Sequence, residues 1–486
     1  MKKNIYFFLL VTVLLSGCSN SGSTNNSESN DNQNYLIKND VTIDFLCMVD
    51  KAYREDLQKM VDGFSSVEPH VKVNLSNPLG SGNYTMLEKS VVAGFFKGQY
   101  PDLVQCYPDN VVKYINRGYA LKLDDYLDNV EYGVIKDGQS MYIQSLLDEG
   151  SSYTVEGTYS LPFCKSTELL YYNKEALIGL DLHEIDSTIN NGKALDAEYL
   201  DNLTWEELFN KLCPAIKQYN DALPEADKLI VPSDTSAIFT YDSDENFFIT
   251  LANQYGYGYT SVDSEGNANI DFDNPEMINL VKWLKTAKQN GYLQTKGTNN
   301  GNYVSYLFQQ QKALFTVSST AGLSYNFPEN DTFSVGVAKI PHAAGKEYTS
   351  INQGPSICLL NHSDDDRSLA SFLLWKYITN EVNGLEWTKI TNYMVIRDDV
   401  YQSQEYLSLL ETNGQSSQRE VANANNLKKI SDVRGNTFNT PVFKGSSNAR
   451  TNVGRLLIDC LNSDDIDSEI NNLFKSYSDE AKEHLG

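Results

Sequence analysis

The feature that most constrains the fold is an alternation of strand-like and helix-like runs in the first quarter of the chain. The run "VTIDFLCMV" (41–49) is β-rich, and the next stretch, "YREDLQKMVDGFSSV", puts Leu57, Met60, Val61 and Phe64 on one helical face. "VKVNLS" alternates as a strand does, "PDLVQCY" reads as another short strand, and "NVVKYINRG" reads as a helix closed by Gly118. This βαβ rhythm predicts a mostly parallel sheet with helices on its faces. At 486 residues the chain exceeds a single typical core, so two lobes are expected.

The middle of the chain is more helical and carries its own start signals. Thr204 with Glu207 three residues on forms a capping box ahead of Leu208, Phe209 and Leu212. Asn274 precedes Pro275 at the first helical position of "NPEMINLVKWLKTAKQNG", which Gly291 should end. The acidic run "SDDDRS" (363–368) invites a metal reading, but it directly precedes "LASFLLWKYIT", where acids meet the helix dipole. A helix cap is the expectation there. Near the C-terminus, Ile466, Ile470, Leu473 and Phe474 share one face and predict a docked helix. Trp205, Trp283, Trp375 and Trp387 all fall on predicted helices or their ends and are read as packing residues.

The N-terminus reads as an address. Lys2 and Lys3 precede an apolar run, Ile5 to Leu15, too short to span a bilayer. Leu15-Ser16-Gly17-Cys18 has the lipobox pattern of bacterial lipoproteins, so 1–17 is expected to be a signal peptide and Cys18 the lipidated mature terminus. Acyl chains on that cysteine would tether the domain to the membrane without a transmembrane helix. Residues 19–34 contain no apolar side chain, and 18–39 as a whole is expected to be a flexible linker.

A formal net charge of −25 disfavours nucleic acid and anionic headgroups as partners. Cys47, Cys106, Cys164, Cys213, Cys358 and Cys460 show no CxxC spacing, and four sit in apolar runs, so free buried thiols are expected. The five histidines are scattered without HxxxH spacing, so no zinc site is signalled. "NQGPSIC" only superficially resembles a nucleophile elbow, and "LGSGNYT" (79–85) lacks the glycines and context of a dinucleotide loop. Two carboxylates could hydrolyse a glycoside, but 64 acids neither exclude nor locate such a pair. Adjacent Tyr171 and Tyr172 in "LLYYNKEAL" could be ferric-ion ligands only if both faced one cleft. Consecutive strand residues point to opposite faces, so framework is the expected role.

Several segments, in order over nearly the whole mature chain, resemble the family 1 extracellular solute-binding lipoproteins of ABC transporters, typified by the maltodextrin binders. They are "PDLVQCYPDNVVKYINRGYALKLDDYL", "YSLPFCKSTELLYYNKEAL", "TWEELFNKL", "DFDNPEMINLVKWLKTAKQNGYL", "LFQQQKALFTVSSTAG" and "FSVGVAKIPHAAGK". The resemblance implies an α/β, two-lobe periplasmic-binding-protein-like fold of type II, with mixed sheets flanked by helices and a hinged cleft. Its lobes would be 40–163 with 352–390, and 164–351 with 391–486. It implies a sugar or oligosaccharide ligand, an ABC permease as partner, a monomer on the extracellular face, and neither catalysis, cofactor nor metal.

Carried over residue by residue, the resemblance implies ligand contacts from Asp50 and Lys51 after the first strand and from Tyr107, Asp109 and Asn110 in the next strand loop. It further implies Ser166, Glu168, Tyr241, Asp242, Ser319 and Gln353. Asn110 stands where the maltodextrin binder has arginine, and Ser166 where it has glutamate. Ser318 and Ser319 replace a loop with a stacking tryptophan, and no aromatic is expected to substitute there. Rival readings are another solute on the same fold (ferric ion, polyamine or peptide), a surface glycan-degrading enzyme, and a structural lipoprotein.

Overall fold

The computed structural model describes residues 35–77, 84–464 and 468–485. Cys18, the signal segment, the polar linker to 34, most of "LGSGNYT" and Ile466 lie outside the described residues. From Ile37 onward the chain forms one compact unit.

Ten strands carry the architecture. In chain order they are β1 (Val41–Leu46), β2 (Val71–Ser76), β3 (Leu103–Cys106), β4 (Leu161–Pro162) and β5 (Glu168–Asn173). Then come β6 (Phe239–Tyr241), β7 (Leu293–Thr295), β8 (Phe315–Ser319), β9 (Val335–Lys339) and β10 (Ser356–Leu359). They form two five-stranded sheets, ordered β2-β1-β3-β10-β4 and β7-β6-β8-β5-β9. In each, three strands run parallel with the earliest of the three in the middle. The fourth strand is then antiparallel to the third in both. The βαβ rhythm alone predicts mostly parallel sheets, and it misses this antiparallel strand. That strand comes from a segment that has just crossed from the other sheet and enters the order from the opposite end.

The helices used below are α1 (Arg54–Phe64), α2 (Pro108–Ile115), α3 (Asp244–Tyr255), α4 (Pro275–Gln289), α5 (Ser305–Gln309) and α6 (Asp365–Ile378). They are followed by α7 (Glu381–Thr391), α8 (Gln418–Val433), α9 (Ser446–Asn462) and α10 (Ser468–Lys482). On α1 the periodic face Leu57, Met60, Val61 and Phe64 is buried. Asn274 accepts from the Met277 N–H at 2.8 Å to cap α4. Asp364 caps α6 by accepting from the Arg367 N–H at 3.1 Å, so the acidic run starts a helix. The Thr204–Glu207 box is formed, but it opens into a π-helical stretch, Leu208–Leu212, before ordinary helix resumes.

α1 and α6 pack against β1 or its neighbours in the first lobe, and α8 packs on β9 in the second. α3, α4, α9 and α10 pack on one another, sharing a core that includes Phe247, Leu284, Leu456 and Phe474 with Phe239 and Phe315 of the second sheet. Trp205, Trp375 and Trp387 are buried and Trp283 is partly buried. All six described cysteines are buried free thiols. Among the described residues, no helix is long and apolar enough to cross a membrane.

The lobes are joined where three segments meet. The chain passes between sheets after β4 and returns before β10, and the two passages pair with each other. Ser166 and Gln353 exchange backbone hydrogen bonds of 3.0 and 2.9 Å. A third segment joins them where the Met394 N–H donates to the Lys165 carbonyl at 2.7 Å. Gly354 is required here: its φ is +98°, and a Cβ would lie 2.0 Å from the Cys164 carbonyl oxygen.

Candidate ligand cleft

Strand ends from both sheets open onto a cleft of about 780 Å³, within the usual range for small-molecule sites. Glu168, first residue of β5, lies at its floor and is buried. Its carboxylate accepts from the Tyr241 hydroxyl and from Asn246 Nδ2 at 2.7 Å. Burial pushes Glu168 up to about 7, a shift that the Tyr241 and Asn246 hydrogen bonds and the Arg450 charge only partly offset. Asn246 is a junction. Its second amide proton goes to Gln353 Oε1 at 2.7 Å, and its Oδ1 accepts from the Arg450 guanidinium.

Asp242, one residue beyond β6, accepts from the backbone N–H groups of Val304 (2.8 Å) and Ser305 (3.2 Å). It therefore fixes the start of α5, which turns Tyr306 and Gln309 toward the cleft. Burial raises it to about 6, against those hydrogen bonds and the Lys296 charge. Lys296 itself rests on the Tyr303 ring, 4.0 Å from its centroid.

The sequence-derived candidates distribute unevenly. Tyr107, Asp109, Asn110, Glu168, Asp242, Ser319 and Gln353 line the cleft together. Tyr107 caps α2 and meets Tyr84 edge-on, ring centroids 4.8 Å apart. The side chain of Asn110 is held inside the lobe, with Oδ1 on the Tyr107 N–H and Nδ2 on Glu88. Ser166 sits behind the lining, receiving a hydrogen bond from the Ser319 hydroxyl at 3.0 Å. Tyr241 is fully buried and reaches the cleft only through Glu168. Asp50 and Lys51 are not among the lining residues: Asp50 caps the short turn Lys51–Tyr53 through the Ala52 N–H at 2.9 Å. The Asp50 charge is nevertheless felt by the Tyr325 phenol, whose pKa it raises after burial.

Ser318 and Ser319 bring no aromatic of their own, as expected, but the segment that follows them does. Tyr325 follows Ser319 in the 3₁₀ segment Thr320–Asn326 and lines the cleft. Sequence reasoning also missed Asn246, Lys296, Tyr303, Tyr306, Tyr393 and Arg450. The spacing of Tyr303, just ahead of α5, and Tyr306, in its first turn, was the available signal. Nothing local marks Arg450, which lies on the ninth helix described above, far along the chain from its partners.

The adjacent tyrosines are framework. Tyr171 and Tyr172 are both buried in β5, and burial raises both phenols, that of Tyr172 to about 12. The Tyr171 hydroxyl donates to Asn426 Oδ1 at 2.9 Å. Tyr171→Phe should orphan that acceptor and cost about 1–2 kcal/mol in urea unfolding, with solute binding unchanged. A change in binding would contradict this placement. Among the described residues, no group of three or more His, Cys, Asp or Glu is positioned to hold a metal ion.

Two lobes of one topology, hinged over a cleft lined by hydroxyls, amides, carboxylates and tyrosines, define a solute receptor. The chain belongs to the bacterial extracellular solute-binding protein family, whose model matches residues 59–410. It is 22% identical over 379 residues to the sn-glycerol-3-phosphate-binding periplasmic protein UgpB of Salmonella typhimurium, covering 74% of this chain and 75% of the relative. Its fold is similar to that of UgpB from Mycobacterium tuberculosis in complex with glycerophosphocholine. There the TM-score is 0.67 at 16% identity, over 92% of this chain and 98% of the other. The sugar-binding protein MalE from Xanthomonas citri matches equally, with TM-score 0.67 and 16% identity over 91% and 98%.

Proposed function

We propose that this protein captures a sugar or oligosaccharide between its lobes and presents it to the permease of an ABC importer. The observation that carries this reading is on the cleft walls. Tyr107, Tyr303, Tyr306 and Tyr325 remain 38%, 53%, 57% and 59% exposed there. Flat aromatic faces cover the C–H side of a pyranose, and the Ser, Asn, Gln and carboxylate groups beside them satisfy hydroxyls that both donate and accept. Closure supplies the signal: a ligand that contacts both lobes binds the shut form better and shifts the population toward it. No chemistry on the ligand is needed.

The glycerophosphate named for the curated relatives fits less well. Four carboxylates, those of Asp109, Glu168, Asp242 and Glu245, line the cleft against two cations, Lys296 and Arg450. Each cation is already engaged, Lys296 by a ring and Arg450 by Asn246. A phosphate dianion would have to displace one of those contacts to gain a cation, and would meet the charges of Asp242 and Glu245. Lobe limits of 40–163 with 352–390, and 164–351 with 391–486, and a lipid anchor at Cys18 belong to the same reading.

Calorimetry and thermal shift over mono- and oligosaccharides, sn-glycerol 3-phosphate and glycerophosphocholine test it. Saturable stabilisation by a sugar is expected. A response to the phosphate compounds alone, or to no sugar in a broad panel, would overturn it.

A further inference from the structure

Asp109 and Ser446 are 337 positions apart and belong to helices of opposite lobes, yet the Ser446 hydroxyl donates directly to Asp109 Oδ1. Asp109 is the second residue of α2, just after β3 of the first sheet. Ser446 is the first residue of α9, which packs on α3, α4 and α10 of the second lobe and also touches α2. The start of α9 receives no capping hydrogen bond from its own cap residue, Gly445, which holds φ at +100°. The first N–H groups of a helix need acceptors and favour an anion. The carboxylate that meets this helix start comes from the other lobe.

One turn further along α9, Arg450 adds a positive charge that acts on Asp109, as does Lys113 on α2; Glu149 opposes them. Lys113 is itself bonded to Glu88. The acceptor capacity of Asp109 is thus turned toward α9 as well as toward the cleft space.

We propose that Asp109 is a closure latch: its contact with Ser446 and the start of α9 holds the lobes shut, and it sets the closed population before any ligand arrives. This rests on the reading that the protein works by lobe closure, but not on which solute it takes. Asp109 is then a positioning residue. It tunes affinity by changing the fraction of binding-competent protein, since apparent affinity falls in proportion to that fraction.

The test needs no ligand. Spin labels on Val130→Cys and Val231→Cys, exposed sites in the first and second lobes, report the interlobe distance in the full folded protein carrying Cys18→Ser, the six described native thiols being buried. The protein with native Asp109 and Ser446 should show a closed population. Ser446→Ala, which removes only the donor, should lower the closed-to-open ratio about tenfold, as expected for losing a hydrogen bond to a charged group. Asp109→Asn should lower it in the same direction. Circular dichroism and thermal midpoint confirm that each variant folds; if Asp109→Asn fails, Ser446→Ala alone decides. Identical distance distributions in the native protein and Ser446→Ala, or a fully open native protein, would overturn the latch. A glycan response with an unchanged apo distribution sinks the latch and leaves the sugar reading standing. Loss of the closed state in Ser446→Ala with no glycan response does the reverse.

Discussion

Lys165→Met should cost about 3–5 kcal/mol of stability, although methionine suits a buried site well. Lys165 is fully buried at the meeting point of the three inter-lobe segments, and its ammonium is paired with the buried carboxylate of Glu149. The same ammonium donates to the Gly354 carbonyl at 3.0 Å, and the Ser356 hydroxyl donates to Glu149 at 3.1 Å. Two charges have been taken out of water and their mutual attraction offsets that loss. Removing the cation leaves the anion with one hydroxyl in a low-dielectric setting. The double variant Glu149→Leu, Lys165→Met removes both charges and should recover most of the stability. Guanidinium midpoints for the single and double variants measure this directly. A single variant within 1 kcal/mol of wild type would show that the pair is not coupled as its geometry requires. Because the Lys165 ammonium also bonds to the Gly354 carbonyl, the single variant should increase hydrogen exchange at 352–356.

Glu168→Gln should change the pH dependence of stability. The native carboxyl titrates at about 7 against an ordinary value of 4.5. Below pH 4.5 it is neutral in both folded and unfolded chains and has no differential effect. Between those values the unfolded chain ionises while the native state keeps its proton, so stability falls as pH rises. The loss is complete above the folded value and amounts to about 3 kcal/mol from a shift of this size. Glutamine mimics the protonated acid, with its oxygen still placed to accept from Asn246 and its amide to donate to the Tyr241 oxygen. The variant should therefore gain about 2–3 kcal/mol over wild type on going from pH 4.5 to 8. Asp244, raised to about 6, adds a slope of the same sign to both proteins and cancels in the difference, whereas Asp242, also raised to about 6, is coupled to Glu168 by charge and contributes through it. Parallel pH dependences for the two proteins would refute the burial of this charge.

Much of the fold was legible because its determinants are local. The Leu57–Phe64 stripe, the Asn274 cap and the Asp364 cap act over three or four residues, and each is formed as its spacing dictates. The opposed faces of Tyr171 and Tyr172 likewise follow from strand geometry alone. Where expectation and structure part, the cause is distance along the chain. The antiparallel place of β5 and β10 depends on which sheet each segment has just left. The aromatic at Tyr325 was hidden because the loop between Ser319 and Tyr325 folds as a 3₁₀ segment, which carries the ring into the cleft from six positions away.

The sequence by itself determined an α/β chain of two lobes, its helix starts and most of its buried faces. It also determined the strand-end loops from which a cleft would be built. Only the tertiary structure decided which side chains meet there. It brought Arg450 onto Asn246, Asn246 onto Glu168 and Gln353, and Asp109 onto Ser446. It also drew Asn110 back onto Glu88 and kept Tyr241 behind Glu168. Propensity, capping and periodicity reach a few residues along the chain. A site assembled from the ends of two sheets is set by how those sheets pack and hinge, and that is written in contacts hundreds of residues apart.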